Sequence, residues 1–357
     1  MDLNPTEEQR ALAAVLREFL ESAEPTAVLR DTAASDSPFD RKLWARLATE
    51  IGLHGILLPE SVGGSDGDLL DIVAAFEELG RSLLAGPYLA SAVQAPILLR
   101  AAPDLPQTQE WSTRLAAGEL VVSVPLDRAA VHVEGHAETA RVTGTVGPAP
   151  FLDEADLLLL VTSDDELLAV PLSDAPTVDT SESVDPAQRF GMTSLTAAPG
   201  VWLAQGAVVA AAHARATKHA ATALAAEQTG AAQKCLDMAQ AYAKERRQFG
   251  RAIGSFQAIK HLLADMFIEV SYARRITWLA AWELQEEAEP RSARAAWSHA
   301  ANALQFAASS SIQIHGGIGI TWEHDAHWYL KRALATKALF GTPSTHHDAL
   351  ASALLTV

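Results

Sequence analysis

The chain has 357 residues, 49% of them hydrophobic, enough to bury two or three packed units. A net charge of -17 and a pI near 5.1 argue against nucleic acid or an anionic membrane as main partner, though a local basic pocket still accommodates an anionic ligand. The single cysteine, Cys235, permits no internal disulfide, which fits a reducing cytoplasm; it lies in an apolar helical stretch and reads as buried filler.

The opening Met1-Asp2-Leu3-Asn4-Pro5 has neither a basic nor an apolar leader, and no apolar run is long enough to span a bilayer, so the expected location is cytoplasmic. Residues 1–117 predict helices. Thr6-Glu7-Glu8-Gln9 is a capping signal, and Leu12, Val15, Leu16, Phe19 and Leu20 follow at helical spacing. A second helix starts near Phe39, with Leu43, Trp44, Leu47 and Ile51 on its inner face. Pro59 to Gly67 is a glycine-rich loop. Asp68 to Leu84 is a further amphipathic helix, whose Glu77 and Glu78 belong on a solvated or helix-paired face.

Composition changes near Gly118. Residues 118–206 hold short apolar runs broken by Pro, Gly and Asp. Strand candidates are Val121–Val124, Val131–Val133, Ala140–Thr143, Leu157–Thr162, Leu167–Pro171 and Val201–Leu203, spaced as in a small barrel or sandwich. Residues 207–357 return to alanine-rich helix. Four long helices are expected: Gly206 to Phe249 with a possible bend at Gly230, Ser255 to Glu287 ended by Pro290, Ser292 to Ile314, and Asp325 to Leu339.

Between the first two of these helices lies a tight corner. Gly250 and Gly254 bracket it, Ser255 is placed to cap the next helix, and Arg246 and Arg251 flank it. A helix start with exposed amides beside a guanidinium suits a pyrophosphate; the residues alone fit a solvated helical hairpin as well. Glu323-His324-Asp325-Ala326-His327 has zinc-type ligands, but it also describes an ordinary helix start capped by Asp325, and no metal is expected. His346 and His347 are expected to be solvated.

Three stretches, in this order, resemble the acyl-CoA dehydrogenase family: Pro59-Glu60-Ser61-Val62-Gly63-Gly64; Arg246-Arg247-Gln248-Phe249-Gly250 with Ile253-Gly254-Ser255-Phe256-Gln257; and Gln313-Ile314-His315-Gly316-Gly317-Ile318-Gly319 with the Ile320 to His327 segment. The resemblance covers most of the chain. It implies an α+β fold of the acyl-CoA dehydrogenase type: an N-terminal helical domain (1–117), a middle β-barrel or sandwich (118–206) and a C-terminal four-helix bundle (207–357). It implies FAD as cofactor and α,β-desaturation of an acyl-CoA. It also implies electron-transfer flavoprotein as acceptor and a homo-oligomer or heterotetramer as the assembly. The Pro59 loop is then either the way into the acyl pocket or a plain interhelical turn.

Such chemistry needs a carboxylate base, a flavin cradle and a CoA groove. The usual base position holds Phe340, before Gly341-Thr342, and the position used by a minority of members falls near Ala220. Glu227, seven residues on, shares that face about 10 Å further along the axis and is the candidate substitute base, although a carboxylate that supports the site or an interface describes it more simply. His219 lies on a different azimuth. For the nucleotide end of the flavin, the resemblance carries over Arg246, Phe249, Gln257, Gln313, Gly316 and Gly317, with Gly341 and Thr342 in a loop near the flavin. The ring side departs from the family pattern: Val124-Pro125-Leu126-Asp127 and the segment from Thr143 to Phe151 lack the expected motifs. The CoA arginine has no clear counterpart, Arg215 being near only in sequence. These departures favour the partner subunit of a heteromeric dehydrogenase, built with a homologous chain that supplies the base. A self-sufficient enzyme using Glu227 and a flavin-free acyl-CoA binder or scaffold are the alternatives.

Overall fold

The computed structural model describes residues 3–32, 39–135, 140–172, 177–181, 183–286 and 291–355. Glu287 and Pro290, the expected end of one bundle helix, lie outside these residues. Helices, strands and helices follow in the expected order. The first helices are α1 (Glu7–Ala23), α2 (Pro25–Thr32), α3 (Arg41–Arg46), α4 (Leu69–Ser82), α5 (Ala95–Leu99) and α6 (Pro106–Ala116). The strands are β1 (Val122–Ser123), β2 (His132–Glu134), β3 (Ala140–Pro150), β4 (Leu157–Val161), β5 (Glu166–Pro171), β6 (Val178–Ser181) and β7 (Phe190–Gln205). Helix α7 (Ala207–Glu245) leads to a hairpin of β8 (Arg247–Gln248) and β9 (Arg251–Ala252), then α8 (Gln257–Gln285), α9 (Arg291–His315), α10 (Ala326–Thr336) and α11 (Pro343–Leu355). No helix among the described residues is long and apolar enough to cross a membrane.

The chain forms two compact units. One comprises Met1–Asp31, Val73–Leu84 and Ala221–Val357; the other comprises Thr32–Ile72 and Ala85–Ala220.

The second unit holds the seven-stranded mixed sheet, ordered β1-β4-β5-β7-β3-β2, with β6 also on β7. Among the described strands, β1 and β4 are the pair that run parallel, and an isolated parallel bridge joins Ala129 to Thr162. Strand β7 pairs through its early residues with β3 and through its last residues with β5. Strand β4 is buried on both faces. Leu157, Leu159 and Val161 join one core with Leu98, Trp111 and Leu115, while Leu158 and Leu160 join another with Val142, Val146, Leu168 and Leu195. That two-sided burial is why Leu157 to Val161 reads as an unbroken apolar run. Strand β6, Val178-Asp179-Thr180-Ser181, was not expected; its three polar residues give no apolar signal.

In the first unit, Thr6 caps α1 as expected: its hydroxyl accepts from the Gln9 amide at 3.2 Å and the Gln9 side chain accepts from the Thr6 amide at 3.0 Å. Glu78 is buried and takes Arg17 at 2.5 Å, with Arg81 at 3.5 Å, so it is helix-paired rather than solvated. Helix α7 runs unbroken through Gly230. A Cβ at Gly230 would overlap the Glu77 carbonyl oxygen, so glycine is required by close helix approach. Cys235 is buried, and burial pushes its thiol up.

Three local expectations are corrected. Ser255 does not cap α8; the cap position is Phe256, and the Ser255 hydroxyl donates back to the Ala252 carbonyl at 2.7 Å, closing a short 3-10 turn. Asp325 does not cap α10 either: its carboxylate binds Arg30 at 2.8 Å, and the His324 ring accepts from the Ala326 amide at 3.1 Å. His346 is buried against Trp297, with ring centroids 5.3 Å apart, whereas His347 is exposed as expected and shares a hydrogen bond with Ser298 at 2.6 Å. Both histidines sit on α11, a helix beyond the four that the sequence predicts.

Candidate functional site

The corner after α7 is a two-residue hairpin. Phe249 (φ 51°) and Gly250 (φ 79°) link β8 to β9, both with the positive φ that the tightest hairpin turn requires. Glycine adopts this freely, but phenylalanine is strained there by about 1 kcal/mol. Phe249 is also 92% exposed, so no burial accounts for an aromatic at that point. Its ring meets Phe256 edge-on at 6.1 Å, and the Arg251 guanidinium lies 4.0 Å over the Phe256 ring. Arg246 and Gln257 are exposed beside this aromatic platform, and no described carboxylate pairs with Arg246.

A second segment comes to the same corner. Tyr242, one helical turn before Arg246, lies 4.5 Å from the His315 ring, and His315 lies 4.4 Å from His324. His315 is buried, and its Nδ1 is 2.7 Å from the Ser311 carbonyl. Burial holds its pKa below the usual histidine range. This ladder ties the end of α7 to the end of α9, where Gln313, Gly316 and Gly317 are exposed. A Cβ at Gly316 or Gly317 would meet nothing within 4 Å, so the loop presents bare backbone to open space. Sequence reasoning found Arg246 and the glycines but missed the ladder. Its one sequence signal is the four-residue step from Tyr242 to Arg246.

The assembled parts are a guanidinium with no partner among the described residues, an exposed aromatic and open glycine backbone in one region. They suit a phosphate-bearing aromatic ligand.

Comparison with known proteins agrees with the family resemblance. The model of the acyl-CoA dehydrogenase N-terminal domain matches residues 6–119, and that of the C-terminal domain matches residues 209–355. The chain belongs to the acyl-CoA dehydrogenase family. That family is one of oxidoreductases. The chain is 34% identical over 344 residues to acyl-CoA dehydrogenase IpdE2 of Mycobacterium tuberculosis, covering 96% of this chain and 95% of that one. Among solved structures it resembles a chain of the ChsE4-ChsE5 complex from Mycobacterium tuberculosis, with TM-score 0.88, 27% identity and full coverage of both chains. It also resembles a chain of the Tcur3481-Tcur3483 steroid ACAD, with TM-score 0.85, 26% identity and 98% of each chain covered.

The base positions of this family are informative in the present chain. Ala220 is fully buried and carries no acid; Phe340 is half-buried in the turn before Gly341. Glu227 is 7% exposed and its carboxylate pairs with Arg332, itself 1% exposed. Gly341 (φ 110°) faces the His346 ring, and the Thr342 hydroxyl accepts from the Thr345 amide at 3.2 Å.

The two stretches where ring-side motifs were expected and are missing lie in the other unit. Their hydrogen-bonding groups are engaged internally. The Leu126 amide donates to the Pro148 carbonyl at 3.0 Å, the Phe151 amide to the Arg189 carbonyl at 3.0 Å, and the Ser123 hydroxyl to the Pro150 carbonyl at 2.6 Å. His219, beside Ala220, is buried with its Nδ1 lacking a described partner, and burial lowers its pKa to about 4.

Proposed function

We propose that this chain is the base-less subunit of a heteromeric FAD-dependent acyl-CoA dehydrogenase, lending contacts to the nucleotide end of a flavin. The observation that carries this reading is the pairing of Glu227 with buried Arg332, which leaves neither family base position, nor its substitute, with a free carboxylate. Removing an α-proton from a thioester needs an unencumbered carboxylate close to the carbon. Turning Glu227 toward a substrate would strand the Arg332 guanidinium in the interior, at a cost of about 3–5 kcal/mol.

The cofactor fits one end of this chain and not the other. Arg246 has the charge and freedom to bind a pyrophosphate, and Phe249 offers an exposed face for an adenine. Gly316 and Gly317 leave room for phosphate oxygens against backbone amides. Gln257 and Gln313 supply exposed side-chain amides, and Gly341 and Thr342 are assigned to a loop near the flavin by the family resemblance alone. Strain at Phe249 supports the assignment, since a positive φ at an exposed phenylalanine has no packing explanation. On the ring side, the Leu126 and Phe151 amides are already engaged by carbonyls of the chain itself. When bound, FAD supplies the hydride acceptor for the β-hydrogen. The proton and the ring contacts fall to the homologous chain, and electron-transfer flavoprotein is the expected acceptor.

Two similar solved structures are described as the ChsE4-ChsE5 complex and the Tcur3481-Tcur3483 steroid ACAD. Both pair two named chains, which supports a two-chain assembly here and a bulky acyl group, such as a steroid side chain, on the thioester.

The test is spectroscopic. The chain purified alone is expected to lack the flavin band, and to gain both the band and acyl-CoA-dependent bleaching when co-expressed with a homologous chain. A lone yellow protein bleached by acyl-CoA would establish self-sufficiency instead. A chain that stays colourless with every homologous partner would point to the flavin-free scaffold.

A further inference from the structure

This inference rests on the proposed function and gives Glu227 its role. We infer that Glu227 is a positioning residue: with Gln228 it fixes the last turn of α10, and so the Phe340-Gly341-Thr342 turn that follows.

Helices α4 and α7 cross through two Glu-x-x-Gly segments, Glu77–Gly80 and Glu227–Gly230. A Cβ on either glycine would overlap the carbonyl oxygen of the other segment's glutamate. Each glutamate carboxylate then receives an arginine from a further helix: Glu77 takes Arg274 of α8 at 2.8 Å, and Glu227 takes Arg332 of α10. The arrangement occurs twice, and Glu77, far in sequence from any family base position, is occupied in the same way. That repetition marks the carboxylate–arginine pair as part of the crossing.

On the Glu227 side the clamp extends further. Arg332 also donates to the Leu83 carbonyl at 3.3 Å, so its guanidinium spans α7 and the end of α4. One turn on, the Thr336 hydroxyl donates to the Arg332 carbonyl at 2.8 Å, and Gln228 donates to the Thr336 hydroxyl at 3.1 Å. Consecutive residues of α7 therefore hold consecutive turns of α10. Thr336 is the last residue of α10, and Gly341 follows five positions later with φ 110°. An anchor at Thr336 sets where that turn begins.

Amide hydrogen exchange on the flavin-free protein tests the clamp directly. In Arg332→Lys, which keeps a charge but not the fork, amides 337–342 should exchange about tenfold faster while the 247–252 hairpin is unchanged. Gln228→Leu, which removes only the Thr336 bond, should do the same to a lesser degree and serves where the arginine variant fails to fold. Unchanged exchange at 337–342, or a uniform rise across the unit, would overturn the inference. In the flavin-loaded protein, whether alone or with a second chain, Glu227→Gln should keep flavin reduction by acyl-CoA within about threefold, whereas loss of a general base removes about 100-fold or more. If the lone chain turns over and Glu227→Gln leaves it intact, the two-chain reading fails and the clamp stands. If Glu227→Gln abolishes turnover of the lone chain, both fail.

Discussion

Gly80 of α4 lies so close to the Glu227 carbonyl oxygen that a Cβ at that position would overlap it. Two helix backbones approach this closely only where no Cβ stands between them. Gly80→Ala must therefore push the helices apart, with an expected loss of about 3 kcal/mol, measured from the denaturation midpoint. Gly317→Ala is the control for added bulk, because nothing lies within 4 Å of its Cβ. It should leave stability within about 0.5 kcal/mol and still weaken flavin retention in the assembled complex. Equal stability losses at the two positions would refute the close-approach explanation.

Phe249→Asn separates stability from binding. Asparagine before Gly250 is the preferred pair for this hairpin turn, so the variant should be as stable as the parent or up to about 1 kcal/mol more stable. Flavin retention in the assembled complex should fall. Retention unchanged would remove Phe249 from the nucleotide site.

Arg246 is exposed and has no described carboxylate partner. Arg246→Ala should leave the melting temperature unaltered and weaken flavin binding by about ten- to a hundredfold, the worth of a charged hydrogen bond. Equilibrium dialysis of the complex measures it.

His54 supplies an acid dependence. It is fully buried beside Trp44, with ring centroids 3.9 Å apart and neither nitrogen bonded to a described group. Burial lowers its pKa to about 3. The unfolded chain binds a proton near the ordinary value of about 6.5 and the folded chain does not. Stability is thus fully present above that value and falls as pH drops toward 3, by roughly 4 kcal/mol at most. His54→Leu should match or exceed the parent at neutral pH and lose less stability on acidification. An identical pH profile for parent and variant would assign acid lability elsewhere.

Thr6→Ala should destabilise by about 1 kcal/mol, because the capping box of α1 is intact. Ser255→Ala should cost less than about 0.5 kcal/mol, since that hydroxyl caps no helix amide. Parallel urea titrations compare them.

Local pattern was sufficient for much of the fold. Period and capping fixed α1 at Thr6. The apolar run from Leu157 to Thr162 announced a strand, and the glycine at 250 announced a corner. The same signals misassigned the caps of α8 and α10, because a side chain's hydrogen-bond partner depends on what else packs nearby. For Asp325 that neighbour is Arg30, distant in the chain. Strand β6 and helix α11 escaped for the opposite reason: each is held by neighbours more than by its own pattern.

The candidate site divides the same way. Residue types are a property of the sequence, so the missing acids at 220 and 340, and the arginine, aromatic and glycines of the corner, could be read directly. Whether Glu227 is free could not be read, because that depends on which cation shares its burial. Arg332 lies 105 residues away, and only the folded chain brings the two charges together, where a low-dielectric interior binds each to the other.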